Sequence, residues 1–297
     1  MPEIIKNLFK ASGIFKCHHP MHRPFEYKVS PYHILKVKNC YPQGCVEFKW
    51  RCYNFEKGKK CPRNFKHVGR ECFSCNKYHE NKETYSPETT MSSKELKRFI
   101  EDYHVFESWC DEMRGKRVRF SGQVKSIRPH LRMEIDSRRN RVSLNGYFAS
   151  FDKGYLENDL FNDKIYLRLS KNILERTKLA DGDEIEADVL FTEDRGRFIL
   201  RQPRGIDIDK NNSKPQITVS SSLIARSTGK IIDGAIKHCH GCKFCALIDI
   251  EDLSRKRISY YRRFYCLKGV SDNENCPVRL EGIMDDYKNN RNDRKRF

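Results

Sequence analysis

No stretch of this 297-residue chain approaches the ~18–20 consecutive apolar residues of a membrane-spanning helix. Its first residues, MPEIIKNLFKASGIFK, lack the long apolar segment of a secretory signal. The phosphate-cradling pattern G-x-x-x-x-G-K-S/T, the dinucleotide pattern G-x-G-x-x-G and the nucleophile elbow G-x-S-x-G are all absent. Nucleotide-binding and hydrolase functions therefore lose their usual sequence support. A cytoplasmic location without a membrane partner is expected. There disulfides do not persist, so cysteines serve as thiols or metal ligands. Tryptophan is scarce, at two, but 18 Phe and 14 Tyr suffice to build cores. Acidic charge is the minority: 58 Lys and Arg stand against 40 Asp and Glu, a net +18 that favours an anionic partner such as nucleic acid.

The 13 cysteines are unevenly placed. Residues 1–91 hold seven, residues 210–297 hold five, and only Cys110 lies between. Charge follows the same partition, at +9, +8 and +1 respectively. Three units are expected: a cysteine-rich module with a linker at 1–91, a helix with a β domain at 92–209, and a cysteine-rich module with a basic tail at 210–297. Residues 76–93, polar and rich in turn formers, read as the first linker.

A helix capped by Ser92 or Ser93 opens the middle unit. Leu96, Phe99, Ile100, Tyr103, Phe106, Cys110 and Met113 make one apolar stripe, and Gly115 suits the position after its end. Cys110, on that stripe, reads as a small core residue. The period then changes to two in RVRFSGQVKSI, LRMEID, IYLRLS, EIEADVLF and FILRQ, with KNILERTK as a short helix after the third segment. That order is the order of a five-stranded Greek-key OB barrel. RVRFSGQVKSI followed by LADGDEIEADVLF resembles the OB domains of the tRNA-anticodon-binding type, over residues 116–208. In those domains a first strand with an internal Gly is answered by a Gly-Asp turn before strand four. Gly122 lets strand one coil round the barrel corner.

The resemblance implies an oligonucleotide groove on strands two and three. The polar phase of strands one to three carries Arg117, Arg119, Lys125, Arg132 and Arg168, with Tyr166 placed to stack on a base. Arg119, Arg132 and Arg168 are expected in one lateral row, with Glu184, Glu186 and Asp188 of strand four facing elsewhere. Residues 137–163 exceed an OB loop. Asn145-Gly146 predicts an extra hairpin there, and Arg138 and Arg139 extend the groove.

The strongest local signal is CHGCKFC, two C-x-x-C pairs sharing Cys242, followed by Cys266 and Cys276. Two ligand sets stay open. Cys242, Cys245, Cys266 and Cys276 make an all-thiolate zinc site. Cys239, Cys242 and Cys245 with Cys266 or Cys276 suit a [4Fe–4S] cluster. Near the N-terminus Cys72 and Cys75 form a C-x-x-C pair, grouped with Cys52 and Cys61, while Cys40 and Cys45 join Cys17 and one histidine. Basic residues interleave with aromatics in FKWRCYNFEKGKKCPRNFKH and SRKRISYYRRFYC, where Arg262 and Arg263 are further phosphate contacts.

The function expected is a non-catalytic, cytoplasmic binder of RNA or single-stranded DNA: a mainly β, multi-domain chain holding two to three zinc ions. An iron–sulfur protein of nucleic-acid modification or redox is one alternative. A scaffold subunit of a nucleoprotein assembly, with zinc modules that bind protein, is another. No carboxylate spacing assigns a catalytic residue.

Overall fold

The computed structural model describes residues 4–211, 214–215, 217–232, 239, 242–254, 258–272 and 276–278. It is mainly β. Two compact units divide the chain, Leu8–Ser108 and Met1–Asn7 with Trp109–Phe297. A two-residue strand, β1 (Ile4–Ile5), opens the described chain and belongs to the second of these.

In the first unit, β2 (Phe15–Lys16) lies between β3 (Lys28–Val29) and β6 (Glu88–Thr89). A separate antiparallel ribbon pairs β4 (Cys45–Cys52) with β5 (Tyr78–Tyr85), in register from Cys45 opposite Tyr85 to Cys52 opposite Tyr78. Ten of the 18 residues expected as a linker thus lie in strands, β5 and β6. The polar residues of β5 fit because a two-stranded ribbon has little interior to fill.

Helix α1 (Ser93–Met113) buries Leu96, Phe99, Tyr103, Phe106 and Cys110 of the predicted stripe and leaves Ile100 and Met113 half-buried. Ser92 begins it with a capping box: its hydroxyl accepts from Glu95 N (3.4 Å) and the Glu95 carboxylate accepts from Ser92 N (2.9 Å). In the first unit Phe9 sits edge-on against Tyr103 and Phe106, at 5.5 and 5.0 Å.

The second unit is one large sheet. Its further strands are β7 (Arg117–Gln123), β8 (Ser126–Ile135), β9 (Asn140–Phe151), β10 (Gly154–Leu156), β11 (Asp159–Phe161), β12 (Ile165–Leu169), β13 (Glu184–Asp194), β14 (Arg197–Asp209), β15 (Lys230–Ile231), β16 (Cys245–Asp252) and β17 (Ser259–Cys266). Among the described residues their order is β1-β11-β10-β7-β13-β14-β12-β9-β8-β16-β17-β15. Helix α2 (Lys171–Thr177) follows β12, and α3 (Val219–Thr228) follows β14.

The run β7-β13-β14-β12-β9-β8 begins and ends on one stretch of chain, because only Val124 and Lys125 separate β7 from β8. Those two residues join its ends. Val124 N donates to Asp183 O beside β13, and Lys125 N donates to Ser150 O on β9, both at 2.8 Å. Val118, Phe120, Ile165, Leu167, Leu169, Ile185, Ala187, Val189 and Phe191 all point inward and are buried, as their alternation predicts. Phe120 meets Phe151 edge-on at 4.9 Å, and Phe191 stacks on Phe198 at 5.1 Å. Each large side chain so buried contributes ~1.5–3 kcal/mol.

Three expectations need correction. LRMEID is the second half of a strand that begins at Ser126 and passes through Pro129. A proline inside a strand normally argues against it; here it stands at an irregularity, where the pairing with β9 shifts register between Pro129 and Leu131. Asn145-Gly146 is no hairpin: the chain turns at 136–139, where Asp136 N donates to Arg139 O. Gly146 (φ +116°) is buried within β9 because a Cβ there would stand 2.4 Å from Leu169 O. Finally, the C-terminal cysteine-rich segment adds its strands to the large sheet, with β16 parallel to β8 from Ile248 opposite Leu131 to Asp252 opposite Ile135.

Candidate nucleic-acid interface and cysteine clusters

Register partners on neighbouring antiparallel strands share a face. Arg128 of β8 is opposite Phe148 of β9, and Phe148 is opposite Arg168 of β12. Arg128, Phe148 and Arg168 therefore form one row across three strands, on the outer face. Ser126, Ser150 and Tyr166 form the next row. Arg128 Nε is buried without a hydrogen-bond partner among the described residues. Among the described residues, Arg168 reaches only the Asn145 carbonyl, at 3.5 Å.

A closed circuit of contacts surrounds this face. Phe148 and Tyr166 rings are 6.4 Å apart, and the Arg197 guanidinium lies 5.6 Å from the Tyr166 ring centre. Arg197 pairs with Asp194 at 3.2 Å, and Asp194 pairs with Arg262 at 2.6 Å. Arg262 also donates to Asp249, its register partner across the β16–β17 hairpin. His130 Nε2 stands 2.9 Å from Asp249, and its ring packs 4.7 Å from Phe148. Burial alone would raise the Asp249 carboxyl, yet the hydrogen bonds and charge of His130 and Arg262 hold it far below the usual range. The same balance, burial opposed by Arg262 and Arg197, lowers Asp194.

The expected row of Arg119, Arg132 and Arg168 is not brought together. β7 neighbours β13 rather than β12, so Arg119 is opposite Asp188 and pairs with Glu186 at 2.7 Å and Asp188 at 3.3 Å. The carboxylates of Glu186 and Asp188 thus face Arg119, because β7 and β13 are antiparallel neighbours. Arg117 donates to the carbonyls of Asp188 and Gln202. Arg132 pairs with Glu251 on β16. Lys125 lies 3.7 Å from Asp152, in a cavity of about 760 Å³ lined by five carboxylates, among them Glu184, Glu186 and Asp207, and only two lysines. Arg138 and Arg139 are exposed at the β8–β9 turn. Arg262 is committed to its two carboxylates, while Arg263 is exposed on β17. Arg255, Lys256, Arg257 and the basic tail lie outside the described residues. Arg128 lies between the alternating segments RVRFSGQVKSI and LRMEID and belongs to neither. The signal was nonetheless there, in the alternation of Ile127, Pro129, Leu131 and Met133 with polar residues.

The cysteines other than Cys110 fall into three sets. Cys242 N donates to Cys239 O (3.2 Å) and Cys245 N to Cys242 O (3.1 Å), so consecutive turns carry three thiols. Cys245 is directly opposite Cys266 on β17. Cys245, Cys266 and Ile232 are buried, with Cys239 and Cys242 packed against them. Burial pushes the Cys245 thiol up to about 12, helped by neighbouring thiols and opposed by Arg128. Burial raises Cys239 too, followed by the charges of Cys242, Cys276 and Cys266, which brings the fifth cysteine into the group.

In the other unit, burial and then a Cys45 hydrogen bond push Cys40 up to about 12, with further contributions from the charges of Cys45 and Cys17. His19 packs 4.8 Å from Tyr85, the register partner of Cys45. At the opposite end of the ribbon, Cys75 N donates to Cys72 O and Tyr78 N to Cys75 O, while Cys52 is opposite Tyr78. Arg63 ties the loop after Cys61 to Glu71 O at 3.1 Å. The donors in all three sets are thiols that suit zinc or an iron–sulfur cluster. Among the described residues, no three His, Cys, Asp or Glu side chains stand grouped to hold a metal ion.

Comparison with protein families, curated proteins and solved structures finds no match to this chain.

Proposed function

We propose that this protein is a non-catalytic binder of single-stranded nucleic acid, RNA or DNA, built on an OB barrel and cysteine modules that hold metal. With β7 and β8 taken as one bent strand, the strands in chain order are β7/β8, β9, β12, β13 and β14, with α2 between the third and fourth. Their spatial order, 1-2-3-5-4 and back to 1, with β12 and β14 parallel, agrees with an OB barrel. The single observation that carries the reading is the Arg128–Phe148–Arg168 row. It offers two cations and one ring in a line across strands one, two and three, with Arg138 and Arg139 at the strand one–two turn, beside the strand two and three face where OB proteins take oligonucleotides.

The metal follows from the donor set: two to three zinc ions, or a [4Fe–4S] cluster at the Cys239–Cys276 group in place of one zinc. A bound metal would lock these turns and supply folding free energy; the residues that would hold it in the second unit are Cys239, Cys242, Cys245, Cys266 and Cys276. Titration with single-stranded and duplex oligonucleotides tests the function. Tighter binding of single strands, lost in Phe148→Ala with Arg168→Glu, is the expected result. Equal affinity for wild type and variant would move the contact off this face.

A further inference from the structure

The β4–β5 ribbon wears its polarity inside out. Val46, Phe48 and Trp50 share one face with Thr84, Lys82 and Glu80. These three apolar side chains are 49%, 58% and 42% exposed. Phe73, itself 50% exposed, meets Trp50 edge-on at 4.9 Å and extends the patch. The opposite face holds Glu47, Lys49 and Glu83, which are less exposed and pair among themselves: Lys49 lies 2.5 Å from Glu83. An isolated ribbon in water does the reverse, turning charges out and apolar groups in. This outward face is therefore kept for something that covers it.

The chemistry around it says what. Residues 49–82 hold ten Lys and Arg against three Glu. Lys57, Lys59, Lys60, Arg63, Lys66 and Arg70 are all exposed in the segment between the two strands, and Lys82 stands directly opposite Phe48. Rings flanked by exposed cations that make no ion pair among the described residues fit a polyanion that also has flat apolar groups. A hydrophobic protein surface would leave those cations without counter-charges. Residues i and i+2 of a strand are ~6.6–6.8 Å apart, too far for Phe48 and Trp50 to hold the same base, so each ring takes its own.

We propose that the outer face of the β4–β5 ribbon is a stacking platform for unpaired bases, with Phe48 and Trp50 as the two principal rings and the 57–70 segment meeting the phosphates. This site rests on the nucleic-acid reading above and adds a second contact surface to it, in the cysteine-rich unit.

The test uses the full chain. Trp109→Phe leaves Trp50 as the sole tryptophan. Titration of that variant with an oligouridine or oligothymidine should quench and shift Trp50 emission. The Phe48→Ala and Trp50→Ala variants should each lose roughly 5- to 150-fold in affinity, by the ~1–3 kcal/mol of one base stack, with an unchanged salt slope. Phe48→Tyr should restore binding that Phe48→Ala loses. Unaltered emission, or alanine variants that bind like wild type, would overturn the platform while leaving the nucleic-acid reading standing. A wild-type chain that binds neither RNA nor DNA would instead sink both. Ribbon-dependent self-association or protein capture, with nucleic-acid affinity unchanged in the alanine variants, would assign the face to a protein and overturn the proposal.

Discussion

Arg262 Nη2 donates to Asp194 Oδ2 at 2.6 Å, joining the C-terminal hairpin to the turn between β13 and β14 across 68 residues of chain. Both side chains are about three-quarters buried. Removing one partner leaves the other charge half-desolvated, so Arg262→Ala is expected to cost about 2 kcal/mol, less than the 3–5 of a fully buried pair. A double-mutant cycle with Asp194→Asn, read by denaturant unfolding, should return a coupling of about 1 kcal/mol. Additive effects would show that the hairpin is held by its strand pairing alone.

Charge reversal should discriminate between arginines that look alike in the sequence. Arg168→Glu is expected to weaken single-strand binding and to reduce the slope of log affinity against log salt by about 0.7 for a lost phosphate contact. Arg119→Glu should leave affinity close to wild type but lower the melting temperature, since it sets three carboxylates together beside Glu186 and Asp188. A loss of affinity at constant stability in Arg119→Glu would place the strand on the β7–β13 side.

Acid should loosen the second unit through three aspartates. Asp183 is fully buried, which by itself raises its pKa, but Lys210 and the N–H groups of Ala180 and Asn211 bring it below the ordinary value. Asp194 and Asp249 are lowered as well. A carboxylate depressed on folding contributes stability that is complete above its unfolded pKa, near 4, and is lost as pH falls towards the folded pKa. Melting temperature is therefore expected to hold from pH 7 to about 5 and to drop below 4. Asp183→Asn, costing about 2 kcal/mol at pH 7 through lost charge-assisted bonds, should flatten that drop. An unchanged acid profile in this variant would put the linkage elsewhere.

Metal analysis of protein purified without oxygen should find two to three zinc ions per chain, or iron and sulfide with a brown colour in place of one of them. Cys242→Ser should remove one metal and expose the segment after residue 230 to protease, while the strands from β7 to β14 keep their protection. Retention of every metal in that variant would exclude Cys242 as a ligand.

Local pattern was enough for much of this architecture. The stripe of α1, its Ser92 start, the inward residues of β7, β12 and β13 and the turns at Cys239, Cys242 and Cys245 all depend on neighbours within a few positions, whose spacing is visible in the chain. What tertiary structure alone decided is which strand lies beside which. Alternation puts Arg119, Arg132 and Arg168 on a polar phase but says nothing of their neighbours. The β7–β13 pairing sets Arg119 against Asp188, the C-terminal hairpin gives Arg132 to Glu251, and register leaves Arg168 in line with Phe148 and Arg128. Pairing energy depends on side chains far apart in the chain, so which arginine stays free is settled by the assembled sheet.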